Sequence, residues 1–134
     1  MFDIIKKNGL IVSISFNQDN LTDLQVTKEE ENQLIQYIKG EITELNFEYE
    51  INGTEFEKSV WEVIKKIPRG STRTYLDIAK TIGKESACRA VANACGKNKL
   101  AVLIPCHRVI GTHNIGGYKW GVNIKKQLLE LEKN

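Results

Sequence analysis

The first sixteen residues carry the alternating pattern of a β-hairpin. Residues 2–6 and 10–16 are rich in β-branched and aromatic side chains. Asn8-Gly9 lies between them, and this dipeptide accepts the positive φ angles of a tight two-residue turn. The pattern therefore predicts two antiparallel strands joined at Asn8-Gly9.

Beyond the hairpin the apolar spacing becomes helical. Thr27 and Glu30 have the spacing of a capping box, and apolar residues then recur at every third or fourth position, which predicts a helix ending at Gly40. A third short strand is predicted around residues 47–51. Asn52-Gly53 is the predicted junction with the rest of the chain.

The segment after this junction is predicted to be helical. Thr54 and Glu57 form a second capping box. An apolar face continues from this box until Pro68-Arg69-Gly70 interrupts it. A helix is therefore predicted between Thr54 and about Ile67.

Two short helices follow, and a longer one closes the chain. Thr74 is predicted to cap a helix that runs to about Ile82, and Ser86 to cap a second from Ala87 to Cys95. Two short helices joined by a tight turn that contains glycine form a helix-turn-helix. The closing helix is predicted to begin at about Val122.

These elements predict an α+β fold in two parts. A small N-terminal α/β annex, residues 1–52, precedes a mainly helical active-site domain with a helix-turn-helix, residues 53–134. A chain of 134 residues is long enough to bury a hydrophobic core without help from disulfides.

Charge is distributed unevenly between the two parts. Residues 1–53 contain 4 Lys and Arg against 10 Asp and Glu, a net charge of −6. Residues 54–134 contain 15 against 7, a net charge of +8. Because a basic surface attracts polyanions, we expect the C-terminal part to bind one.

The remaining bulk features indicate a cytoplasmic protein. The chain begins without the basic and apolar regions of a signal peptide, and no stretch approaches the roughly 20 apolar residues of a membrane span. The three cysteines are odd in number, as expected for free thiols in a reducing compartment.

On one helix Cys88 and Cys95 would lie about 10 Å apart, too far for a disulfide, and we expect both to be small buried residues. Adjacent Cys106 and His107 do not have the spacing of a structural zinc site.

The second helix of the predicted helix-turn-helix has an unusual composition. Residues 87–95 hold one long charged side chain, Arg89, among small residues. Most helix-turn-helix proteins instead place several long polar side chains in the major groove. Small residues allow close approach to a narrow groove, and a lone Arg can fill the space of a displaced base. The alternative is that an Ala-rich helix is simply buried.

Cys106 is the strongest candidate for chemistry. It follows an apolar run, and Pro105 holds Ile104 in an extended conformation. A base such as His107 or a fixed cation such as Arg108 favours the thiolate, although in a regular strand the Cys106 and His107 side chains would point in opposite directions. A structural cysteine is the alternative, and a hydrolase, a peroxidase and an alkyl acceptor all stay open.

Residues 105–110, Pro-Cys-His-Arg-Val-Ile, resemble the signature of the O6-alkylguanine-DNA alkyltransferases, also called methylated-DNA–protein-cysteine methyltransferases. Further segments fall in this family's order and close to its spacing: Gly53-Thr54-Glu55-Phe56, Val60-Trp61, Ile67-Pro68-Arg69-Gly70, Thr74-Tyr75, Ala87-Cys88-Arg89-Ala90-Val91 and Gly117-Tyr118. The resemblance covers about residues 53–132. The N-terminal part resembles the family only in its general α+β plan.

The resemblance implies a catalytic role for each matching position around the cysteine. Cys106 would be the alkyl acceptor, His107 would draw off its proton through a water, and Glu132 would orient the imidazole. Asn98 matches the asparagine that braces the turn before the active-site segment. Tyr75 matches the tyrosine that crowds the target phosphate and hydrogen-bonds the flipped base.

Other matching positions would contact DNA or the base. Arg89 matches the finger that replaces the extruded guanine, and Arg73 is a further DNA contact that we expect. The minor groove would be lined by small residues of the same helix: Ala90, Val91 and Ala92. The guanine pocket would be shaped by four residues: Tyr118, Val109, Lys119 and Trp120. The base must rotate out of the duplex because its O6 substituent is unreachable inside the stack.

The resemblance implies direct reversal of DNA damage. The alkyl group of O6-alkylguanine in duplex DNA would move to Cys106, with O4-alkylthymine as a second candidate substrate. The protein would act once, as a monomer and without a cofactor. Tyr75 or a nearby donor would assist protonation of the departing base.

The chain departs from the family pattern at several points. Some members carry zinc in the N-terminal domain, but residues 1–53 contain neither Cys nor His, so no metal is expected. Lys119-Trp120-Gly121 stands where many relatives have small residues, and Trp120 would narrow the pocket or add a stacking wall. Tyr118 comes one residue early relative to some relatives. His113, in the preceding loop, is expected to be exposed and incidental.

Three other functions compete with the acceptor role. Alkyltransferase-like proteins bind alkylated DNA and recruit other repair proteins, but they lack the acceptor cysteine that Cys106 provides. A transcription regulator is disfavoured by the single long side chain on the second helix. A cysteine hydrolase or thiol peroxidase would leave Arg89 and the basic C-terminal part unexplained.

Overall fold

The computed structural model describes residues 2–18, 21 and 29–133. These residues form an α+β fold, as the sequence predicts. Its elements in chain order are β1 Phe2–Lys7, β2 Leu10–Phe16, α1 Glu29–Lys39, α2 Glu55–Lys65, β3 Arg73–Thr74, α3 Tyr75–Thr81, α4 Cys88–Gly96, a 3-10 turn Cys106–Arg108, β4 Val109–Ile110 and α5 Val122–Glu132. None of these helices is long and apolar enough to cross a membrane.

The N-terminal hairpin is confirmed. β1 and β2 pair antiparallel, with Ile4 opposite Ile14. Asn8 has a φ of 53° and Gly9 a φ of 80°, as the tight turn requires. The predicted location of the turn at Asn8-Gly9 is therefore correct.

The third strand predicted at residues 47–51 does not form. Only a one-residue parallel bridge joins Tyr49 to Ile11 of β2. The same edge of β2 also receives a second bridge, between Ile14 and Leu100. Because two distant segments share this edge, neither extends into a strand, and β2 instead connects the N-terminal hairpin to the segment that leads to Cys106.

Local capping signals fix the starts of α2 and α3. Thr54 accepts a hydrogen bond from the backbone N–H of Glu57, and Glu57 accepts one in return from the N–H of Thr54. Thr74 and Asp77 form the same reciprocal pair. Both predicted capping residues are confirmed. Thr27, predicted to cap α1, lies outside the described residues.

The predicted cap at Ser86 is wrong. Ala87 occupies the N-cap position of α4 and makes no side-chain cap, and the helix continues through Gly96. The reason is a tight turn in which the N–H of Ala87 donates to the carbonyl of Lys84, so that Ser86 lies within the turn. α3 and α4 nevertheless form the predicted helix-turn-helix.

One hydrophobic cluster extends across the predicted junction at residues 52 and 53. It contains Ile14 and Leu34 from the N-terminal part and Ile64, Val91 and Leu128 from the C-terminal part. The division into residues 1–52 and 53–134 stays a prediction. The shared core holds α5, α4 and the Cys106 turn in fixed relation to the hairpin.

Candidate active site

Cys106 opens a 3-10 turn directly after Pro105. The N–H of Arg108 donates to the carbonyl of Pro105 at 2.9 Å, which closes the turn. The side chain of Cys106 is buried, with the residue 4% exposed. The backbone is therefore not a regular strand here, and Cys106 and His107 are not held on opposite faces.

Asn98 braces the loop before this turn, as expected from the resemblance. Its Nδ2 donates to the carbonyl of Ile104 at 3.0 Å, and its Oδ1 accepts from the N–H of Leu100 at 2.8 Å. Nδ2 also lies 3.4 Å from Sγ of Cys106, where it donates to the sulfur. A donor at the sulfur favours the thiolate.

His107 and Glu132 form a buried pair. Nε2 of His107 lies 3.0 Å from Oε2 of Glu132. Burial lowers the pKa of His107 despite the neighbouring carboxylate. The imidazole is therefore neutral at pH 7, with its proton on Nε2 facing Glu132. Nδ1 is buried and has no hydrogen-bond partner in the described part of the chain, so its lone pair is available to accept a proton.

Arg108 anchors Glu132 rather than facing the thiol. Its Nη2 lies 2.6 Å from Oε2 of Glu132 and its Nε 3.0 Å from Oε1, while Nη1 donates to the carbonyl of Ile67. Burial works to raise the pKa of Glu132, but the hydrogen bonds from His107 and Arg108 outweigh burial and lower it to about 2. The carboxylate therefore stays ionised. This partner of Arg108 was not foreseen from the sequence.

Cys106 has a thiol neighbour, Cys95 of α4. The interaction with the Cys95 thiol and the burial of Cys106 raise the pKa of Cys106 well above its usual range. Cys88 and Cys95 were expected to be small buried residues, and both are half-buried instead; all three cysteines are free thiols, as expected. Cys95 is a member of the site that the sequence did not indicate.

Lys125 is a second unforeseen member. Its side chain is fully buried, and Nζ donates to the carbonyl of Val109 at 2.6 Å and to that of Gly117 at 2.9 Å. Burial lowers the pKa of Lys125 to about 8. Lys125 thus joins β4 to the loop that contains Gly116 and Gly117. The apolar spacing of α5 gave no signal for a buried lysine.

Tyr75 lies against the glycines of that loop. Burial raises the pKa of its hydroxyl, an effect that the nearby backbone of Gly117 partly offsets. Gly116 has a φ of +75°, and a Cβ there would stand 2.6 Å from the Tyr75 hydroxyl oxygen. Glycine is therefore required at 116 both for the backbone conformation and for the close approach.

Tyr118 and Trp120 form an aromatic series that leads from the site to the hairpin. The ring centroid of Tyr118 lies 6.4 Å from that of His107 and 5.3 Å from that of Trp120, and Trp120 lies 6.3 Å from Phe16. Lys119 donates from Nζ to the carbonyl of Asn98 at 3.0 Å. Trp120 therefore packs between Tyr118 and the hairpin. The ring contacts and the Lys119 hydrogen bond together hold residues 118–120 in place.

The exposed face of α4 carries the predicted DNA contacts. Arg89 and Ala90 are exposed and Ala92 is half-buried, so the helix is not simply buried. Val91 is fully buried in the core, which corrects its expected place along the minor groove, because it faces inward from the opposite side of the helix. Arg73 in β3 is exposed. His113 is exposed, as expected.

In the described residues, no group of three or more His, Cys, Asp and Glu side chains could hold a metal ion. In this part of the chain His107, Arg108 and Glu132 form one hydrogen-bonded network.

Comparison with known sequences assigns the chain to a family. The profile described as 6-O-methylguanine DNA methyltransferase, DNA binding domain, matches residues 55–134. The chain belongs to the O6-methylguanine-DNA methyltransferase family. A probable methylated-DNA–protein-cysteine methyltransferase of Acanthamoeba polyphaga mimivirus is 50% identical over 101 residues, which are 75% of this chain and 68% of the relative. A methylated-DNA–protein-cysteine methyltransferase of Mycobacterium tuberculosis is 48% identical over 76% of this chain, and the match spans 62% of that relative's length.

Solved structures of the family have the same fold. Mycobacterium tuberculosis OGT in complex with DNA aligns with a TM-score of 0.84 and 36% identity, covering 98% of this chain and 86% of that one. The likeness therefore includes the N-terminal part, which the resemblance of motifs did not cover. Schizosaccharomyces pombe Atl1 in complex with damaged DNA aligns with a TM-score of 0.52 and 29% identity, over only 61% of this chain and 79% of that one.

Proposed function

We propose that this protein repairs DNA by direct reversal, taking the alkyl group from O6-alkylguanine in duplex DNA onto Cys106. The observation that carries the proposal is the buried Cys106 thiol, followed by the paired His107 and Glu132 side chains, in a chain of the O6-methylguanine-DNA methyltransferase family. An activated sulfur nucleophile requires a thiol, an imidazole that accepts its proton and a carboxylate that orients the imidazole.

The proton path follows from the tautomer of His107. Because Nε2 is occupied by Glu132, Nδ1 takes the proton of Cys106 through an intervening water. The sulfur then attacks the alkyl carbon, the bond from that carbon to O6 breaks, and guanine leaves. Tyr75 or a nearby donor supplies the proton that the departing base needs. The thioether has no easy leaving group, so each molecule reacts once and without a cofactor.

Access to the buried sulfur requires a base rotated out of the duplex. Arg89 on the exposed face of α4 fills the space left by the base, and Ala90 and Ala92 allow α4 to approach the minor groove. Arg73 contacts the backbone. The extruded guanine lies between Tyr75 and the wall formed by four residues and their backbone: Val109, Tyr118, Lys119 and Trp120. Trp120 acts by supporting Tyr118.

We further propose that the protein works as a monomer in the cytoplasm, with O4-alkylthymine as a second substrate. Residues 1–52 act as an annex that supports the active-site domain, residues 53–134. The bridge from Ile14 of β2 to Leu100 is a contact through which this support is transmitted.

The alternative function is that of a protein that binds alkylated DNA and signals to other repair pathways. Cys106 and its proton path argue against it. The two are separated by incubating the protein with a duplex that carries one O6-methylguanine and measuring the intact mass. We expect one added methyl group, located on Cys106, and no reaction with the undamaged duplex. Catalytic turnover, or tight binding with an unmodified Cys106, would overturn the proposal.

A further inference from the structure

The last turn of α1 reaches the charged network that follows Cys106 in the chain. In the described residues the guanidinium of Arg108 donates to three residues: Glu132, Ile67 and Tyr37. The Tyr37 hydroxyl accepts from Nη2 of Arg108 at 3.3 Å. Tyr37 belongs to α1 and lies before residues 55–134, the range that the family profile matches. The N-terminal part of the chain therefore supplies one side chain to this network.

A second arginine joins the same two helix ends. Nη2 of Arg69 donates to the carbonyl of Ile38 in α1 at 2.9 Å and to that of Leu131 in α5 at 3.0 Å. Gly40, directly after α1, passes so close to Arg69 that a Cβ at Gly40 would lie 3.0 Å from Nη1. The end of α1 is therefore fastened to the end of α5, the helix that carries Glu132.

We propose that Tyr37 is a positioning residue for alkyl transfer, because its hydroxyl fixes the Arg108 guanidinium that holds Glu132 against His107. The effect on transfer rests on the proposed function, in which His107 is the base. The hydrogen-bonded series from Tyr37 to His107 does not depend on that function.

The geometry of Nη2 explains how Tyr37 acts at a distance from the sulfur. This nitrogen of Arg108 carries two N–H groups. It lies 2.6 Å from Oε2 of Glu132, the oxygen that is also 3.0 Å from Nε2 of His107, and 3.3 Å from the Tyr37 hydroxyl. Without the hydroxyl, one N–H of a buried cation loses its acceptor, which favours rotation of the guanidinium towards another one. Glu132 would then hold the imidazole less firmly.

The same change would alter the charge around His107. The titratable and charged groups that surround its ring are Glu132 and Lys125 of α5, Arg108 and Cys106 of its own turn, and Tyr118 of the following loop. Burial lowers the pKa of His107, Glu132 raises it and Arg108 lowers it. A guanidinium that moves away from the pair therefore raises the pKa of His107. The imidazole would then be protonated, and lost as a base, at a higher pH than in the wild type.

Tyr49 offers a matched control. It is a half-buried tyrosine of the N-terminal part, as Tyr37 is, and its ring faces Nζ of Lys65 at 5.5 Å. Tyr49→Phe and Tyr37→Phe each remove one hydroxyl and keep the aromatic ring. Only Tyr37→Phe removes an acceptor of Arg108.

The first test measures single-turnover methyl transfer from a duplex with one O6-methylguanine in wild type, Tyr37→Phe and Tyr49→Phe. At saturating DNA, Tyr37→Phe should react about tenfold more slowly, close to the lower limit for a hydrogen bond to a charged group. Its affinity for the duplex should be unchanged, and on acidification its rate should begin to fall at a higher pH. Tyr49→Phe should match the wild type in all three respects. Adding Tyr37→Phe to Glu132→Gln should cause little further loss, because Tyr37 acts through that carboxylate.

The second test follows the ring signals of the two histidines by NMR and needs no transfer reaction. His107 in Tyr37→Phe should begin to titrate at a higher pH than in the wild type, whereas the signal of exposed His113 should be the same in both. This shift in a protein that never accepts a methyl group would overturn the proposed function and leave the link from Tyr37 to His107 standing. An unchanged His107 signal, or a slower rate with the wild-type pH profile, would overturn the positioning role.

Discussion

Nε2 of His107 lies 3.0 Å from Oε2 of Glu132, and both side chains are buried. The same carboxylate is held by Arg108, so one acidic side chain at the end of α5 fixes two residues of the Cys106 turn. The position of α5 therefore determines which ring nitrogen of His107, the proposed base, carries the proton.

Replacing Glu132 should damage both stability and chemistry. Glu132→Gln leaves the Arg108 guanidinium buried without its counter-ion, and breaking a buried pair from one side costs about 3–5 kcal/mol. A positioned base contributes about 10²–10⁴-fold to a rate, and much of this should be lost as His107 loses its orientation. Urea unfolding and single-turnover methyl transfer measure the two effects.

Glu130→Gln is the matched control for this change. Glu130 lies on the same helix, but its side chain is exposed and its ion pair with Lys133 is a surface contact. Exposed pairs contribute about 0–1 kcal/mol. A loss of stability or rate in Glu130→Gln as large as in Glu132→Gln would mean that α5 is simply intolerant of change.

The pKa of Glu132 predicts a specific loss of stability in acid. Because the folded protein lowers this pKa from 4.5 to about 2, the stabilising contribution of the carboxylate is fully present above pH 4.5 and is lost as the pH falls towards about 2. Because the pKa of His107 is also lowered in the folded protein, the free energy of unfolding should likewise fall as the pH drops below 6.5, the ordinary pKa of histidine. The difference in unfolding free energy between wild type and Glu132→Gln should therefore shrink as the pH falls from 4.5. A difference that stayed constant across this range would contradict the assignment.

Signals confined to a few neighbouring residues allowed much of the fold to be predicted. Asn8-Gly9, Thr54 with Glu57 and Thr74 with Asp77 each specify a turn or a cap through their own side chains and backbone. The cap at Ser86 was predicted wrongly because Ser86 lies within the turn between α3 and α4. The strand at residues 47–51 was predicted wrongly because that segment shares the edge of β2 with the segment around Leu100.

The candidate site was predictable only in part. Cys106 and His107 were candidates from the residues alone and Glu132 was found through the resemblance, although the contacts among them were not visible in the sequence. Cys95 and Lys125 gave no local signal. Each matters because of what the folded chain brings next to it: the Cys106 sulfur in one case, and the carbonyls of Val109 and Gly117 in the other.

Arg89 should matter for duplex substrates and not for free ones. The proposed finger fills the stack after the base leaves, so Arg89→Ala should slow transfer from O6-methylguanine in duplex DNA and weaken binding. A free O6-alkylguanine nucleoside needs no extrusion, and its slower reaction should be unchanged. Single-turnover rates on the two substrates give the comparison.

Two further variants complete this test. Lys58→Ala removes the same unit of charge from an exposed position on α2 and should affect duplex and free substrate alike. Cys106→Ala should abolish transfer from both while still binding alkylated DNA, with an affinity that falls steeply as salt increases. If Arg89→Ala reacted with the duplex as fast as wild type does, the finger role would be wrong.

Gly116 should tolerate no side chain, whereas its neighbour should. The added Cβ of Gly116→Ala would stand 2.6 Å from the Tyr75 hydroxyl oxygen on a backbone with a φ of +75°. Placing Ala where φ is positive costs more than about 1 kcal/mol, and displacement of Tyr75 or of the loop should also slow methyl transfer. Gly117→Ala adds a Cβ with no atom within 4 Å and without the positive φ, so its unfolding free energy should stay close to that of wild type. Thermal unfolding of the two variants measures the difference. Equal losses of stability in both variants would show that Tyr75 does not constrain the loop.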